Sequence, residues 1–269
     1  MKEMTTKDIQ RVSLDILRDV HSFCVQNNIR YSLQGGSLLG AIRHNGFIPW
    51  DDDIDIIMPR PDYDKFCKTY HSSHNYKLIC RENQTCYLMF ARVCEMEKTL
   101  VDCVLCSWTT QQTGVWIDIF PADGAEDDFQ EAKKRIDKAT DIWKVCLQTR
   151  RSYSSLSNMT GFMMKLKQFF RKILYSHRDL FDKHYKLCKL IPYGSTNHYS
   201  NIAYLGYGMK EYHRTAVMDS FILHNFEDSQ FYIMQGYDEA LKEKYGDYMQ
   251  LPPVDQQVAR HYFEKFYWR

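Results

Sequence analysis

The chain has 269 residues, enough for one large domain or two small ones and for a sizeable core. Its 35 Lys and Arg against 34 Asp and Glu leave a net charge of +1, which argues against a general nucleic-acid binder. No stretch approaches the continuous apolar length that spans a bilayer. The nine cysteines are an odd number behind a charged, helical start with no signal peptide, so the expected address is a reducing cytoplasm with free thiols.

In chain order, Thr5 or Thr6 caps a helix in which Ile9, Val12, Ile16, Val20 and Phe23 recur at helical spacing, and Asn27-Asn28 ends it. Residues 29–34 read as a strand, 37–44 as a short helix and 53–58 as a second strand. Pro59 stops that strand, and Pro61 starts a helix through Tyr70. Residues 76–82, 86–94, 99–106 and 115–120 read as further strands. Past Gly124, helical periodicity dominates to about residue 190, and 193–201 is loop-like. Short strands over 201–204, 216–218 and 221–223 and a last helix over 233–245 follow. The expected fold is α/β (α+β), a mixed sheet with flanking helices. It forms a single domain over 1–269 with a mostly helical insertion over 125–200.

The densest chemistry lies early. Asp51-Asp52-Asp53-Ile54-Asp55 puts four carboxylates within five residues. On a strand, Asp51, Asp53 and Asp55 face one way while Ile54, Ile56 and Met58 face the other. Two carboxylates about 5 Å apart repel by roughly 3 kcal/mol at an effective dielectric near 20. A hard divalent cation such as Mg²⁺ offsets that, whereas a lone Asp pair would read as a solvated loop or helix cap. Gly35-Gly36-Ser37 opening a helix beside the row resembles a phosphate cradle, although paired glycines alone mark no more than a turn. Cys80, Cys86, Cys94, Cys103 and Cys106 raise a zinc question. Cys103 and Cys106 have Cys-x-x-Cys spacing without a second pair at ribbon distance, which favours buried thiols on strands.

Gly35 to His44, with Gly46-Phe47-Ile48-Pro49-Trp50-Asp51-Asp52-Asp53-Ile54-Asp55, closely resembles the signature of the LicD phosphotransferases, a family that includes the fukutin-like proteins. Two more stretches fit: Val115 to Gly124, and Lys244 to Pro253 with Arg260 and His261 beyond. The resemblance spans about residues 7–262 and implies a nucleotidyltransferase-like fold. It further implies a CDP-linked donor and transfer of a phospho-substituent to a glycan hydroxyl with release of CMP. For bacterial members that substituent is phosphocholine from CDP-choline, delivered to teichoic acid or lipooligosaccharide precursors; ribitol phosphate is an alternative. Attack at the α-phosphate of a nucleoside triphosphate, releasing pyrophosphate, stays open as a separate reading.

In this scheme Asp53, Asp55 and Asp118 hold one or two Mg²⁺ (or Mn²⁺) ions. Asp51 reaches the attacking hydroxyl or serves the strand entrance. Backbone N–H groups at Gly35, Gly36 and Ser37 meet donor phosphate. Arg43 contacts phosphate or pairs with the acidic strand, and His44 adds a contact or packs. Tyr199, Tyr204, Tyr207 and Tyr212 cluster in a polar stretch, where they either pack the insertion or face a quaternary ammonium. Finally, 142–178 holds eight Lys or Arg and no acid. Within it, residues 161–174 align Phe162, Leu166, Phe169, Phe170 and Ile173 on one helical face. That pattern suits peripheral contact with a membrane bearing a lipid-linked acceptor, or ordinary core packing.

Overall fold

Helix α1 (Thr6–Gln26) starts at a capping box: the Asp8 N–H donates to Thr5 Oγ1 (3.2 Å) and the Thr5 N–H donates to Asp8 Oδ2 (3.0 Å). It ends where Asn28 turns left-handed at φ +50. Its apolar stripe, from Ile9 through Val12, Ile16 and Val20 to Phe23, is buried in the main core. The computed structural model describes residues 1–83, 88–103, 113–150, 166, 176–203, 207–258 and 264–269.

The central sheet is built from β2 (Ser32–Leu33), β3 (Asp55–Pro59), β7 (Trp116–Ala125), β5 (Ala91–Cys94) and β4 (Lys77–Ile79), in that order. β3 and β7 run parallel, and the other neighbours are antiparallel. Every residue of β3 is buried, as a strand covered on both faces requires. β7 is long enough to pair twice. Its first half meets β3 and β5, and Asp123–Ala125 pair with β8 (His198–Ser200), which in turn pairs with β9 (Tyr212–Arg214). Helices α2 (Gly35–His44) and α3 (Arg60–Thr69) flank β3 in sequence.

Two smaller sheets are also present among the described residues. β12 (Glu264–Trp268) lies between β1 (Lys2–Glu3) and β6 (Thr99–Cys103), so the two ends of the chain share one sheet. β10 (Phe221–Phe226) and β11 (Ser229–Met234) form a hairpin whose Met234 N–H donates to Ser32 Oγ at 2.8 Å. In the helical stretch, α4 (Phe129–Arg150) packs on α5 (His177–Cys188), with Trp143, Cys146, Leu180 and Phe181 joining the main core. Helix α6 (Tyr237–Tyr245) follows the hairpin.

Several boundaries differ from the sequence expectations. The second strand begins at Asp55 rather than Asp53, because Pro49-Trp50 turns the chain and the Asp51 N–H bonds back to the Ile48 carbonyl (2.9 Å). Residues 216–218 form a 3₁₀ turn instead of a strand, held by the Gly236 N–H on the Val217 carbonyl (3.1 Å). Ile233 lies inside β11 rather than opening the last helix, since the hairpin turns at Glu227 (φ +56), which carries no glycine signal. The apolar-basic stretch 161–174 lies outside the described residues, Leu166 excepted. No helix among the described residues is long and apolar enough to cross a membrane.

Candidate active site

The parallel register sets Asp55 of β3 beside Asp118 of β7. The Asp118 N–H donates to the Ile54 carbonyl (2.9 Å), which draws the loop carrying Asp51 and Asp53 against the start of β7. A cavity of about 660 Å³ opens there, lined by Gly35, Gly36, Asp51, Asp53 and Asp55 on one side. Arg43, Trp50, Tyr207, Lys244, Tyr245, Asp247 and Tyr248 line the other. Asp51 and Asp53 therefore reach the site from a loop; strand alternation does not place them.

Asp55 is buried, and that burial pushes its pKa well above the usual carboxylate range. Asp53, Asp118 and Asp51 raise it further by like-charge repulsion, while Lys244 opposes them. An all-oxygen donor set under mutual repulsion is what a hard divalent cation relieves, so Asp53, Asp55 and Asp118 fit such an ion. Asp118 is held in place from behind: Arg92 Nε donates to its Oδ1 at 2.6 Å and Nη2 to its Oδ2 at 3.4 Å. The Arg92 guanidinium lies 4.1 Å from the Trp116 ring centroid.

The donor-side residues divide. Gly35 has φ +58, a conformation glycine adopts without strain, and a Cβ on Gly36 would stand 2.6 Å from Asp51 Oδ2. Gln34, at the helix N-cap, makes no capping bond; its Nε2 donates instead to Glu211 Oε2 (3.1 Å). The N–H groups of Gly35 and Gly36 have no acceptor among the described residues, leaving them available to an anion. Ser37 departs from expectation. Its N–H is taken by the Gln34 carbonyl (3.1 Å) and its Oγ accepts from the Asp55 N–H (2.9 Å), so it joins α2 to β3.

Arg43 lines the cavity without pairing to the acidic strand. Its Nη1 donates to the carbonyls of Tyr248 (2.9 Å) and Gln250 (3.2 Å), and its Nε to His44 Nε2 (3.0 Å). His44 thus accepts from Arg43 and is not among the cavity-lining residues; burial and Arg43 lower its pKa, keeping it neutral. The sequence reading also missed Lys244. It is buried against Glu211 in an ion pair, and its Nζ lies 4.3 Å from the Tyr207 centroid. The stretch Lys244-Tyr245-Gly246-Asp247 is a visible motif, but its sequence alone does not mark Lys244 as a site residue.

Of the clustered tyrosines, Tyr207 faces the cavity. Tyr199 is buried beside His213, Tyr212 stacks on His198 (4.7 Å, 8°), and Tyr204 lies outside the described residues. The aromatic wall comes from Trp50, Tyr207, Tyr245 and Tyr248. Cys24, Cys67, Cys80, Cys94, Cys146 and Cys188 are buried free thiols, whereas Cys86 and Cys106 are outside the described residues.

A family model described as LicD/FKTN/FKRP, nucleotidyltransferase domain, matches residues 28–154. The chain is 30% identical over 285 residues to lipopolysaccharide cholinephosphotransferase LicD of Haemophilus influenzae, covering 99% of each. It is 64% identical over 28 residues to ribitol 5-phosphate transferase FKRP of Homo sapiens, a span of 10% of this chain and 6% of that one. It is also 34% identical over 87 residues to protein RP689 of Rickettsia prowazekii, 28% of this chain and 31% of that one. With the carboxylate cluster at the mouth of a mixed sheet, these matches make the molecule a phosphotransferase. The chain belongs to the LicD family.

Proposed function

We propose that the cavity binds CDP-choline and transfers phosphocholine to a sugar hydroxyl of a cell-surface glycan precursor, releasing CMP. The observation that carries this reading is an aromatic wall beside the carboxylate cluster. Trp50, Tyr207, Tyr245 and Tyr248, with Asp247, offer π faces and negative charge to a quaternary ammonium. Full-length similarity to a cholinephosphotransferase supports the same donor.

In the reaction, the acceptor oxygen forms a bond to the phosphorus bearing choline, and the bond from that phosphorus to the CMP oxygen breaks. The Gly35 and Gly36 N–H groups and Lys244 bind the pyrophosphate, and Arg92 fixes Asp118. Asp51 accepts the hydroxyl proton. Mg²⁺ (or Mn²⁺) held by Asp53, Asp55 and Asp118 would neutralise charge on the donor phosphates. A lipid-linked teichoic acid or lipopolysaccharide precursor at the cytoplasmic membrane face suits the exposed Met249, Leu251 and Val254 beside the cavity mouth. Cosedimentation with anionic vesicles tests that placement.

The deciding experiment incubates the protein and Mg²⁺ separately with CDP-choline, CDP-ribitol and CTP. CMP from CDP-choline is expected, with Trp50→Ala raising KM for that donor about tenfold and sparing CDP-ribitol. CMP from CDP-ribitol alone would move the donor to the ribitol class that the match to the human ribitol 5-phosphate transferase favours. Pyrophosphate from CTP would replace the proposal with nucleotidyl transfer.

A further inference from the structure

Away from the cavity, two cysteines and a glutamate meet where the last turn of α3 approaches the loop after β4. Cys67 Sγ, Cys80 Sγ and a Glu82 carboxylate oxygen all lie within 4.8 Å of one another. Both thiols are buried, and the buried Tyr63 lies one helical turn before Cys67 on α3. Glu82 Oε2 is buried with no hydrogen-bond partner among the described residues. A carboxylate oxygen withdrawn from water without a donor is unfavourable, and a cation at the sulfurs would satisfy it. None of the three residues lines the cavity, and the reaction derived above uses none of them.

We infer that Cys67, Cys80 and Glu82 form a zinc site, with water as fourth ligand. Thiolate sulfur selects a soft or borderline metal over Mg²⁺ or Ca²⁺, and zinc accepts sulfur and carboxylate oxygen in one tetrahedron. At Zn–S of about 2.3 Å and Zn–O of about 2.1 Å, neighbouring ligands stand roughly 3.5–3.8 Å apart. Ligand atoms already within 4.8 Å need to close by only about 1 Å. Binding releases the two thiol protons to solvent and leaves the sulfurs as thiolates. The ion pins the end of α3 to the β4 edge of the central sheet, with Arg81 beside it tied to Asp182 of α5 at 2.6 Å.

The test is metal analysis of the reduced full chain prepared without chelator, followed by cobalt substitution. One equivalent of zinc is expected, and the cobalt form should show a thiolate-to-metal charge-transfer band. The carboxylate cluster in the cavity offers no sulfur, so the band reports this site independently of the catalytic one. Glu82→Gln should keep the band and weaken zinc affinity at least tenfold; the Cys67→Ser/Cys80→Ser double variant should lose both. A cobalt-loaded wild type with no such band overturns the proposal, as does a band that survives the double substitution. A metal-free protein two hydrogens lighter under non-reducing conditions would make the pair a disulfide instead.

Discussion

Asp118 and Asp123 sit five residues apart on one strand and face opposite fates. Asp118 stands beside Asp55 in the parallel register without itself lining the cavity, while Asp123 is fully buried in a fork with Arg60, both bonds at 2.7 Å. Asp123→Asn leaves the buried Arg60 with only its 3.4 Å ion pair to Asp64 and should cost about 3–5 kcal/mol in urea unfolding. Asp53→Asn, Asp55→Asn and Asp118→Asn should each fold but lose turnover by about 10²-fold or more, the scale of losing one electrostatic contact to the transition state. Near-normal turnover of any of the three in Mg²⁺-depleted buffer would remove the metal scheme. Without metal, Asp55→Asn should be the more stable protein at neutral pH. Burial and three neighbouring carboxylates raise the Asp55 pKa above its unfolded value of 3.8. Stability tied to its protonated form is therefore present below that value and lost as pH rises through the folded pKa. The asparagine does not titrate, so its advantage should be present at pH 7 and shrink as pH falls toward the unfolded carboxylate value. Gly36→Ala should leave the melting temperature nearly unchanged and raise donor KM, since its Cβ displaces only the Asp51 carboxylate.

At the level of elements, local signals were read well and remote ones were not. The α1 cap, the Gly-Gly helix and the Asp row are contiguous patterns, so residues 5–59 could be placed from sequence with errors of two or three residues. Arg92 was missed because its meaning lies in strand register: it stands opposite Asp118, 26 positions away, and nothing in its own neighbourhood signals that. Lys244 was missed for the same reason, its partner Glu211 being 33 residues earlier. The α4–α5 pair carries its own prediction. His184 is buried beside Trp143, its Nδ1 meets Cys188 Sγ at 3.3 Å, and its Nε2 has no partner among the described residues. Burial pushes its pKa down to about 4. A depressed folded pKa means the unfolded chain binds more protons between about pH 6.5 and 4, so stability is full above that window and falls as pH drops through it. The loss attributable to His184 should reach roughly 3 kcal/mol by pH 4. His184→Gln should show a correspondingly shallower decline in urea unfolding between pH 7 and 4. Parallel declines for the two proteins would show that His184 is not buried neutral.

Across the whole molecule, the small terminal sheet is coupled to the catalytic one by a line of packed rings and charge. Phe266 of β12 is buried against Trp116, ring centroids 5.2 Å apart, and Trp116 opens β7 two residues before Asp118. The same indole lies under Arg92, whose guanidinium grips the Asp118 carboxylate. No local pattern announced this, because β12 pairs with Lys2–Glu3 at the far end of the chain and with Thr99–Cys103. Truncating Phe266 should therefore do two separable things. Phe266→Ala should cost about 3–5 kcal/mol of stability, as for other buried aromatics. It should also lower kcat about tenfold at temperatures where the protein remains folded, because a slack Trp116 lets Arg92 and Asp118 drift, while KM for the donor changes little. Phe266→Leu, which keeps most of the buried volume, should recover most of both losses. In an Asp118→Asn background the kcat effect of Phe266→Ala should disappear while the stability effect remains. If stability falls and kcat does not, β12 serves the fold alone, and the line from the terminal sheet to Asp118 carries packing without positioning.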